Sequence, residues 1–239
     1  MTDQSKLQVK TIDELKQQPE EYRTACEKLV ISHAINELYG ARAYDEPAVA
    51  LAPNPYAKWL TCRVAMEEYG HHVRFFELGR EMGIAAERML PDKTSKKPLS
   101  IMNYPLKTWE EFVAIKLLAD LAEILQVEDL LHCTFHPLRN LSRMTMPEER
   151  FHAQFGLDFG AELVKSPEGK AKMQEAVNNV YPHMLPFFGA PKSKNNEIFR
   201  KWGIKLRTNE DMRADYVNRA REAAGKLGLT LPDVAEATA

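Results

Sequence analysis

Cysteine is scarce in this sequence. Three cysteines occur in 239 residues, at Cys26, Cys62 and Cys133. The number is odd and the spacings form no repeated pair, which excludes a disulfide framework and a cysteine-rich zinc site. We therefore expect all three side chains to be small hydrophobic residues of the interior.

Long runs of one residue class are also missing. No extended lysine and arginine run occurs and the formal net charge is −2, so we expect no nucleic-acid partner. No stretch approaches 18 apolar residues, and the polar N-terminus lacks an apolar signal core. These absences predict a cytoplasmic protein with no membrane partner.

Apolar residues recur with helical spacing along the chain, and no alternating strand pattern competes with them. We predict an all-α protein with flexible termini at 1–10 and 234–239 and a single domain over 11–233. The stretch 41–54 is rich in helix breakers and is predicted to be a loop. Because of Pro147, the fourth helix is expected either to start at Thr145 or to kink at this proline. Helices are predicted at about 11–40, 56–82, 108–133, 138–165, 167–181, 195–206 and 208–226.

One motif occurs twice, as Glu68-x-x-His71 and Glu149-x-x-His152. A carboxylate and an imidazole three residues apart lie on one helix face, where both can bind the same metal ion. Two such helices, with two more that each give one carboxylate, form the ligand set of a dinuclear iron or manganese centre in a four-helix bundle. Because the motif is duplicated, it is a far more specific signal than a single copy.

The two further carboxylates should lie on helices upstream of each motif. Glu37 precedes the first motif, and Asp120 precedes the second at a similar spacing. Glu123 lies one turn after Asp120 on a similar helix face, and spacing alone does not separate the two. Four buried acids without a cation would be costly or would take up protons, so a bound ion is the simplest reason for them.

Each motif is also preceded by a second acid, Glu67 or Glu148. This acid lies four residues before the histidine of its own motif and on nearly the same face. We expect it to accept the proton of the imidazole nitrogen that does not bind metal, which would fix the orientation of the ring.

With these residues in place, the chain resembles the catalytic subunits of the phenylacetyl-CoA epoxidase (phenylacetic acid catabolic) family, which are ferritin-like diiron oxygenases. The resemblance extends to the segments His33-Ala-Ile-Asn-Glu37-Leu-Tyr-Gly40 and Ser100-Ile-Met-Asn-Tyr-Pro105, and to the tail 227–233. It implies a ferritin-like four-helix bundle with additional C-terminal helices. It also favours Asp120 over Glu123 and implies a set of six metal ligands: Glu37, Glu68, His71, Asp120, Glu149 and His152.

The chemistry that the resemblance implies is activation of O2 at two iron ions, with an iron pair favoured over a manganese–iron pair. One oxygen atom would enter an aromatic or related organic substrate, with an acyl-CoA thioester as one form. Lys93, Lys96 and Lys97 could meet the phosphates of coenzyme A. An electron-transferring reductase, and a homologous structural subunit or a second copy, are expected partners. The alternatives are a ferritin-like ferroxidase or iron-binding protein, and a non-catalytic scaffold subunit.

Overall fold

The computed structural model describes residues 7–93 and 99–233. In this part of the chain the only extended pairing is an isolated bridge between Val9 and Phe135, and the regular structure is helical. The α-helices are α1 (Ile12–Lys16), α2 (Glu20–Gly40), α3 (Glu46–Leu51), α4 (Pro55–Glu81), α5 (Trp109–Leu130), α6 (His136–Leu163), α7 (Pro167–Val180), α8 (Lys194–Lys201) and α9 (Asn209–Lys226). The all-α prediction is confirmed.

Helices α2, α4, α5 and α6 form a ferritin-like four-helix bundle, and α7 to α9 are the additional C-terminal helices. Helix α5 begins with a capping box, in which Thr108 Oγ1 accepts from the Glu111 amide and the Glu111 carboxylate accepts from the Thr108 amide. It packs against α6, α7 and α9. These neighbours bury most faces of α5, which are apolar. Burying a side chain such as Phe112 contributes about 1.5–3 kcal/mol to the free energy of unfolding.

The α5–α6 contact depends on Gly156. A Cβ atom at this position would lie 2.4 Å from the Leu117 backbone nitrogen and 2.7 Å from the Lys116 carbonyl carbon. Only glycine allows the two backbones to approach this closely. The close approach fixes this part of α5 against α6 one turn after His152.

Two predicted boundaries were wrong. The first predicted helix is divided, since α1 ends at Lys16 and Pro19 caps the start of α2. The predicted loop at 41–54 is largely helical: α2 continues through a π-helical turn, Ala41–Asp45, into α3. Pro47 follows the π-helical turn directly, and the helix continues past it although proline has no backbone N–H to donate.

Two local predictions also need correction. The alternative in which a helix starts at Thr145 was wrong, because α6 runs continuously from His136 to Leu163 with the exposed Pro147 inside it. Cys26 and Cys133 are buried as expected, but Cys62 is exposed on α4.

The predicted flexible segment 1–10 is only partly described. Val9 is buried, its amide donates to the Thr134 carbonyl (2.9 Å), and its carbonyl accepts from the His136 amide (2.8 Å). The predictions made for residues 1–6, 94–98 and 234–239, including Lys96 and Lys97, lie outside the described residues. Over the described ranges, no helix is both long and apolar enough to cross a membrane.

Candidate metal centre

The six side chains that the duplicated motif singled out lie in the interior of the bundle, and all are buried. Their helices present them from four directions. They are Glu37 on α2, Glu68 and His71 on α4, Asp120 on α5, and Glu149 and His152 on α6.

Three carboxylates surround the Nδ1 atom of His71. This nitrogen lies 3.1 Å from Glu149 Oε1, 3.6 Å from Glu68 Oε2 and 3.7 Å from Glu37 Oε2. One ligand atom from each of these four residues lies within 4.8 Å of the others. The four donors are therefore close enough to share one cation.

Two of the same carboxylates also face His152. Its Nδ1 atom lies 3.1 Å from Glu68 Oε1 and 3.9 Å from Glu149 Oε2. Glu68 and Glu149 thus each turn one oxygen toward His71 and the other toward His152, whose ring centroids are 5.8 Å apart. Both carboxylates are therefore placed where cations beside either histidine could share them.

Four buried atoms at this point have no hydrogen-bond partner within the described chain: the Nδ1 atoms of His71 and His152, Glu149 Oε2 and Asp120 Oδ2. Leaving a buried polar atom unpaired costs about 1–3 kcal/mol. All four belong to the predicted ligand set, and carboxylate oxygen with imidazole nitrogen suits iron or manganese. The residues present therefore fit a dinuclear metal centre.

The outer nitrogen of each imidazole is held by an acid from the opposite motif. His71 Nε2 lies 2.8 Å from Glu148 Oε2, and His152 Nε2 lies 2.9 Å from Glu67 Oε2. The acids do hold the imidazoles, but the expected pairing within each motif was wrong. The two helices face one another across the centre, so each acid is better placed for the histidine of its neighbour than for its own.

An arginine supports each of these acids. Arg74 donates two hydrogen bonds to Glu148, and Arg63 Nε donates to Glu67 at 2.9 Å. Burial, the largest effect on Glu148, raises its pKa, but His71 and Arg74 outweigh it and lower the value to about 2. An ionised Glu148 accepts the Nε2 proton of His71, which leaves the Nδ1 lone pair available to a metal.

Without a cation the centre favours protonated imidazoles. Burial lowers the pKa of His152, but hydrogen bonds with Glu67 and Glu68 raise it to about 10. Burial likewise lowers the pKa of His71, and its contacts with Glu148 and Glu149 raise it well above the ordinary value. A metal ion would have to displace these protons, so metal binding is expected to weaken at acidic pH.

A buried lysine lies among the acids, and sequence reasoning missed it. Lys116 Nζ lies 2.8 Å from Glu68 Oε1, 3.0 Å from Asp120 Oδ1 and 3.2 Å from Asp45 Oδ1. The available signal was a single cation in the apolar run of α5, four residues before Asp120. Asp45 was hidden from prediction because it reaches the site through the unexpected π-helical turn.

Asp120 and Glu123 lie in different surroundings. Asp120 is paired with Lys116, whereas Glu123 has an oxygen within 4.8 Å of ligand atoms of His33 and Glu37. Burial raises the pKa of both carboxyl groups well above the ordinary range. Asp120 lies on the His152 side of the centre and Glu123 on the Glu37 side, so the choice between them as a ligand remains a prediction.

A small cavity of about 40 Å³ opens beside the centre. Glu37, Glu68 and Asp120 contribute to its polar side, and its apolar lining includes Ile101, Met102, Ile115, Ala119 and Phe187. The Tyr44 hydroxyl donates to the carbonyl oxygens of Ile101 and Tyr104, which ties the 100–104 segment to the π-helical turn. The cavity is thus lined by both buried acids and apolar side chains.

Comparison with known proteins identifies the family of this chain. One relative is a component of the 1,2-phenylacetyl-CoA epoxidase of Escherichia coli (strain K12). The two chains are 27% identical over 222 residues, which covers 90% of this chain and 71% of the relative. The family model described as phenylacetic acid catabolic protein matches residues 1–239. This chain therefore belongs to the phenylacetic acid catabolic protein family.

Proposed function

We propose that this chain is the metal-binding oxygenase subunit of a multi-subunit enzyme, with two iron ions held by Glu37, Glu68, His71, Asp120, Glu149 and His152. Family membership and the epoxidase relative support an oxygenase role. The observation that carries the metal proposal is the pair of shared carboxylates, each with one oxygen toward either histidine.

When bound, an iron pair would supply reductive activation of O2 and transfer of one oxygen atom to an organic substrate. The chain itself would orient the ligands and shape the reaction space. Glu148 and Glu67 keep the protons on the outer imidazole nitrogens. Ile101, Met102 and Phe187 form an apolar wall that would exclude water and contact an aromatic ring.

We infer an aromatic acyl-CoA as the substrate class, because the relative is an epoxidase of phenylacetyl-CoA by its name. The relative is one component of its enzyme, which supports the expected reductase and homologous structural partner. The described residues add one constraint. The cavity is small, so part of its lining would have to move before the ring of a substrate could enter.

One observation favours a second candidate, a non-catalytic scaffold subunit. The ammonium group of Lys116 lies between Glu68 and Asp120, where a cation would otherwise be expected, and it already offsets part of their charge. A scaffold could keep this arrangement permanently. An oxygenase would have to give up at least one of these contacts when it binds the second ion.

The deciding experiment is metal analysis of the protein purified from iron-replete cells, followed by O2 uptake with a reductant and a panel of aryl-CoA compounds. We expect about two irons per chain and substrate-dependent O2 uptake. Glu149→Gln should lose both properties, while Glu162→Gln, an exposed change on the same helix, should keep them. A metal-free wild-type chain would support the scaffold. Consumption of Fe(II) alone, with mineral in large assemblies, would support the ferroxidase alternative.

A further inference from the structure

A second group of candidate metal ligands lies beside the dinuclear centre. His33, Glu37 and Glu123 each have one donor atom within 4.8 Å of the donor atoms of the other two. His33 and Glu37 lie one turn apart on α2, and Glu123 is on α5. Of the three, Glu37 alone belongs to the six proposed ligands of the dinuclear centre, so the proposed chemistry gives the other two side chains no role.

The two carboxylate oxygens of Glu37 face different histidines. Its Oε2 atom lies 3.7 Å from His71 Nδ1 in the dinuclear centre, whereas its Oε1 atom lies 3.7 Å from His33 Nδ1. Both distances are longer than a hydrogen bond, and two ligands of one cation can be this far apart. If Glu37 binds the ion beside His71 through Oε2 alone, Oε1 remains available to another cation.

His33 is buried without a hydrogen bond. It is 7% exposed, and neither of its ring nitrogens has a hydrogen-bond partner among the described residues. Its ring stacks on Phe75, with ring centroids 4.8 Å apart and an angle of 14° between the planes. Stacking fixes the plane of the imidazole but uses neither nitrogen. Because an unpaired polar atom in the interior is costly, these nitrogens indicate a ligand at this point.

Glu123 is placed among acids. No hydrogen bond or ion pair joins its carboxylate to another side chain in the described part of the chain, and burial together with acids such as Glu37 raises its pKa well above the ordinary range. Lys205, a buried lysine whose charge acts on Glu123, donates its hydrogen bond to Gln126 instead. A buried carboxylate with acidic neighbours and no basic partner is typical of a cation ligand.

The cavity beside the centre has room for an ion at this point. Glu37 and Glu123 both line it, and its volume of about 40 Å³ exceeds the ~15 Å³ that a single water needs. Asn36 lines the same cavity, and its Oδ1 atom is buried without a hydrogen-bond partner. This amide oxygen would supply a further donor to a cation in the cavity.

We propose that His33, Glu37 and Glu123 form a third cation site, which takes a divalent transition metal ion such as Mn(II) or Fe(II). Imidazole nitrogen and carboxylate oxygen suit these ions, and the two carboxylates balance the charge of one of them. The site has fewer protein ligands than the dinuclear centre and shares one of them, so it binds more weakly and loses its ion during purification. It requires neither a metal in the dinuclear centre nor oxygen chemistry.

Mn(II) titration of the purified full chain tests the proposal, with free Mn(II) measured by electron paramagnetic resonance. The iron-loaded wild type should bind one further Mn(II) per chain. His33→Phe keeps a ring against Phe75 but has no nitrogen donor. This variant and Glu123→Gln should each weaken Mn(II) binding by more than about 100-fold, because ligand loss exceeds the 10–100-fold cost of losing an outer partner. His132→Phe and Glu20→Gln, which change exposed residues, are the matched controls and should bind Mn(II) as the wild type does.

Iron content distinguishes failure of this proposal from failure of the proposed function. Both site variants should be purified with the iron content of the wild type, about two per chain, and with unchanged circular dichroism. If the wild type is purified without iron, the proposed function is wrong, but the metal-free chain should still bind one Mn(II) more than His33→Phe. Equal Mn(II) binding by wild type and His33→Phe would overturn the third site. Loss of iron in Glu123→Gln would also overturn it, because Glu123 would then be a ligand of the dinuclear centre.

Discussion

The two halves of the candidate centre differ in what neutralises their acids. Around His71, three carboxylates converge, and two of them, Glu37 and Glu149, have no lysine or arginine partner among the described residues. Around His152, the acids Glu68 and Asp120 are already paired with the ammonium group of Lys116. In the first half only the shared Glu68 contacts Lys116, whereas in the second half Glu68 and Asp120 both do.

This difference predicts that the two cations bind in order. A first ion at the His71 half would meet converging acids and would only have to displace protons. A second ion at the His152 half would compete with Lys116 for Glu68 and Asp120. We therefore expect the first site to bind metal more tightly than the second, with an affinity gap that depends on Lys116.

Removing one histidine at a time should give the largest effect. We expect His71→Ala to weaken binding of the first iron by more than about 100-fold, because ligand loss exceeds the 10–100-fold cost of losing an outer partner. His152→Ala should leave one iron bound per chain. Anaerobic Fe(II) titration followed by metal analysis measures both. Equal loss in the two variants would contradict the ordered binding.

Replacing Lys116 by the apolar Met should separate its two roles. Without metal the variant should lose about 3–5 kcal/mol of unfolding free energy, because buried acids lose their partner. With metal the loss should shrink, and the second iron should bind more tightly than in wild type. Chemical denaturation with and without Fe(II) checks this, and Lys172→Met, an exposed change, is the control. A variant that is less stable but binds the second iron no better would contradict the competition.

The metal-free protein should lose stability as the pH rises from about 7 to 10. The pKa of His152 is raised to about 10 from 6.5, so its contribution is complete below pH 6.5 and is lost as the pH passes through 10. Burial raises the pKa of Asp45 from 3.8 to about 7, so the stability that depends on its protonated form is lost between about pH 4 and 7, before the decline due to His152. Melting temperatures in the presence of a chelator measure the trend. In His152→Gln the decline should be smaller, and an unchanged slope would count against the assignment.

The crossed support of the imidazoles should give the smallest effect. Glu67→Gln and Glu148→Gln should each weaken metal affinity by roughly 10–100-fold, with Glu67→Gln acting on the His152 half and Glu148→Gln on the His71 half. Glu81→Gln on α4 is an exposed control. The two effects can be separated by measuring the first and second iron affinities in each variant. Effects that follow the motif of origin instead would contradict the crossed pairing.

The sequence predicted the helices that carry the candidate ligands because each depends on local spacing, and the family resemblance predicted the ferritin-like bundle. Glu68 and His71 share a face by helical geometry alone, and the apolar run of α5 indicates an interior helix before any contact is known. The break near Pro19 was missed and residues 41–54 were predicted to be a loop, because spacing alone does not show whether a proline ends a helix or lies within one. A proline in the first turn of α3 looks the same in sequence as one that ends a helix.

The parts that the sequence could not supply depend on contacts between helices. The crossed pairing of Glu67 with His152 requires the distance between α4 and α6. The sequence shows Lys116 as an isolated cation in an apolar helix, but it does not show which acids contact it. The three acids come from three different segments, and Asp45 lies near Lys116 only because of the π-helical turn. The helical period does not encode such contacts.

X-ray absorption on the iron-loaded, reduced protein tests the central claim most directly, because it reports whether two metals share a ligand bridge. We predict two irons per chain about 3.5–4 Å apart, with nitrogen and oxygen ligands. A single isolated iron, or no bound metal while Lys116 still contacts Glu68 and Asp120, would contradict the account.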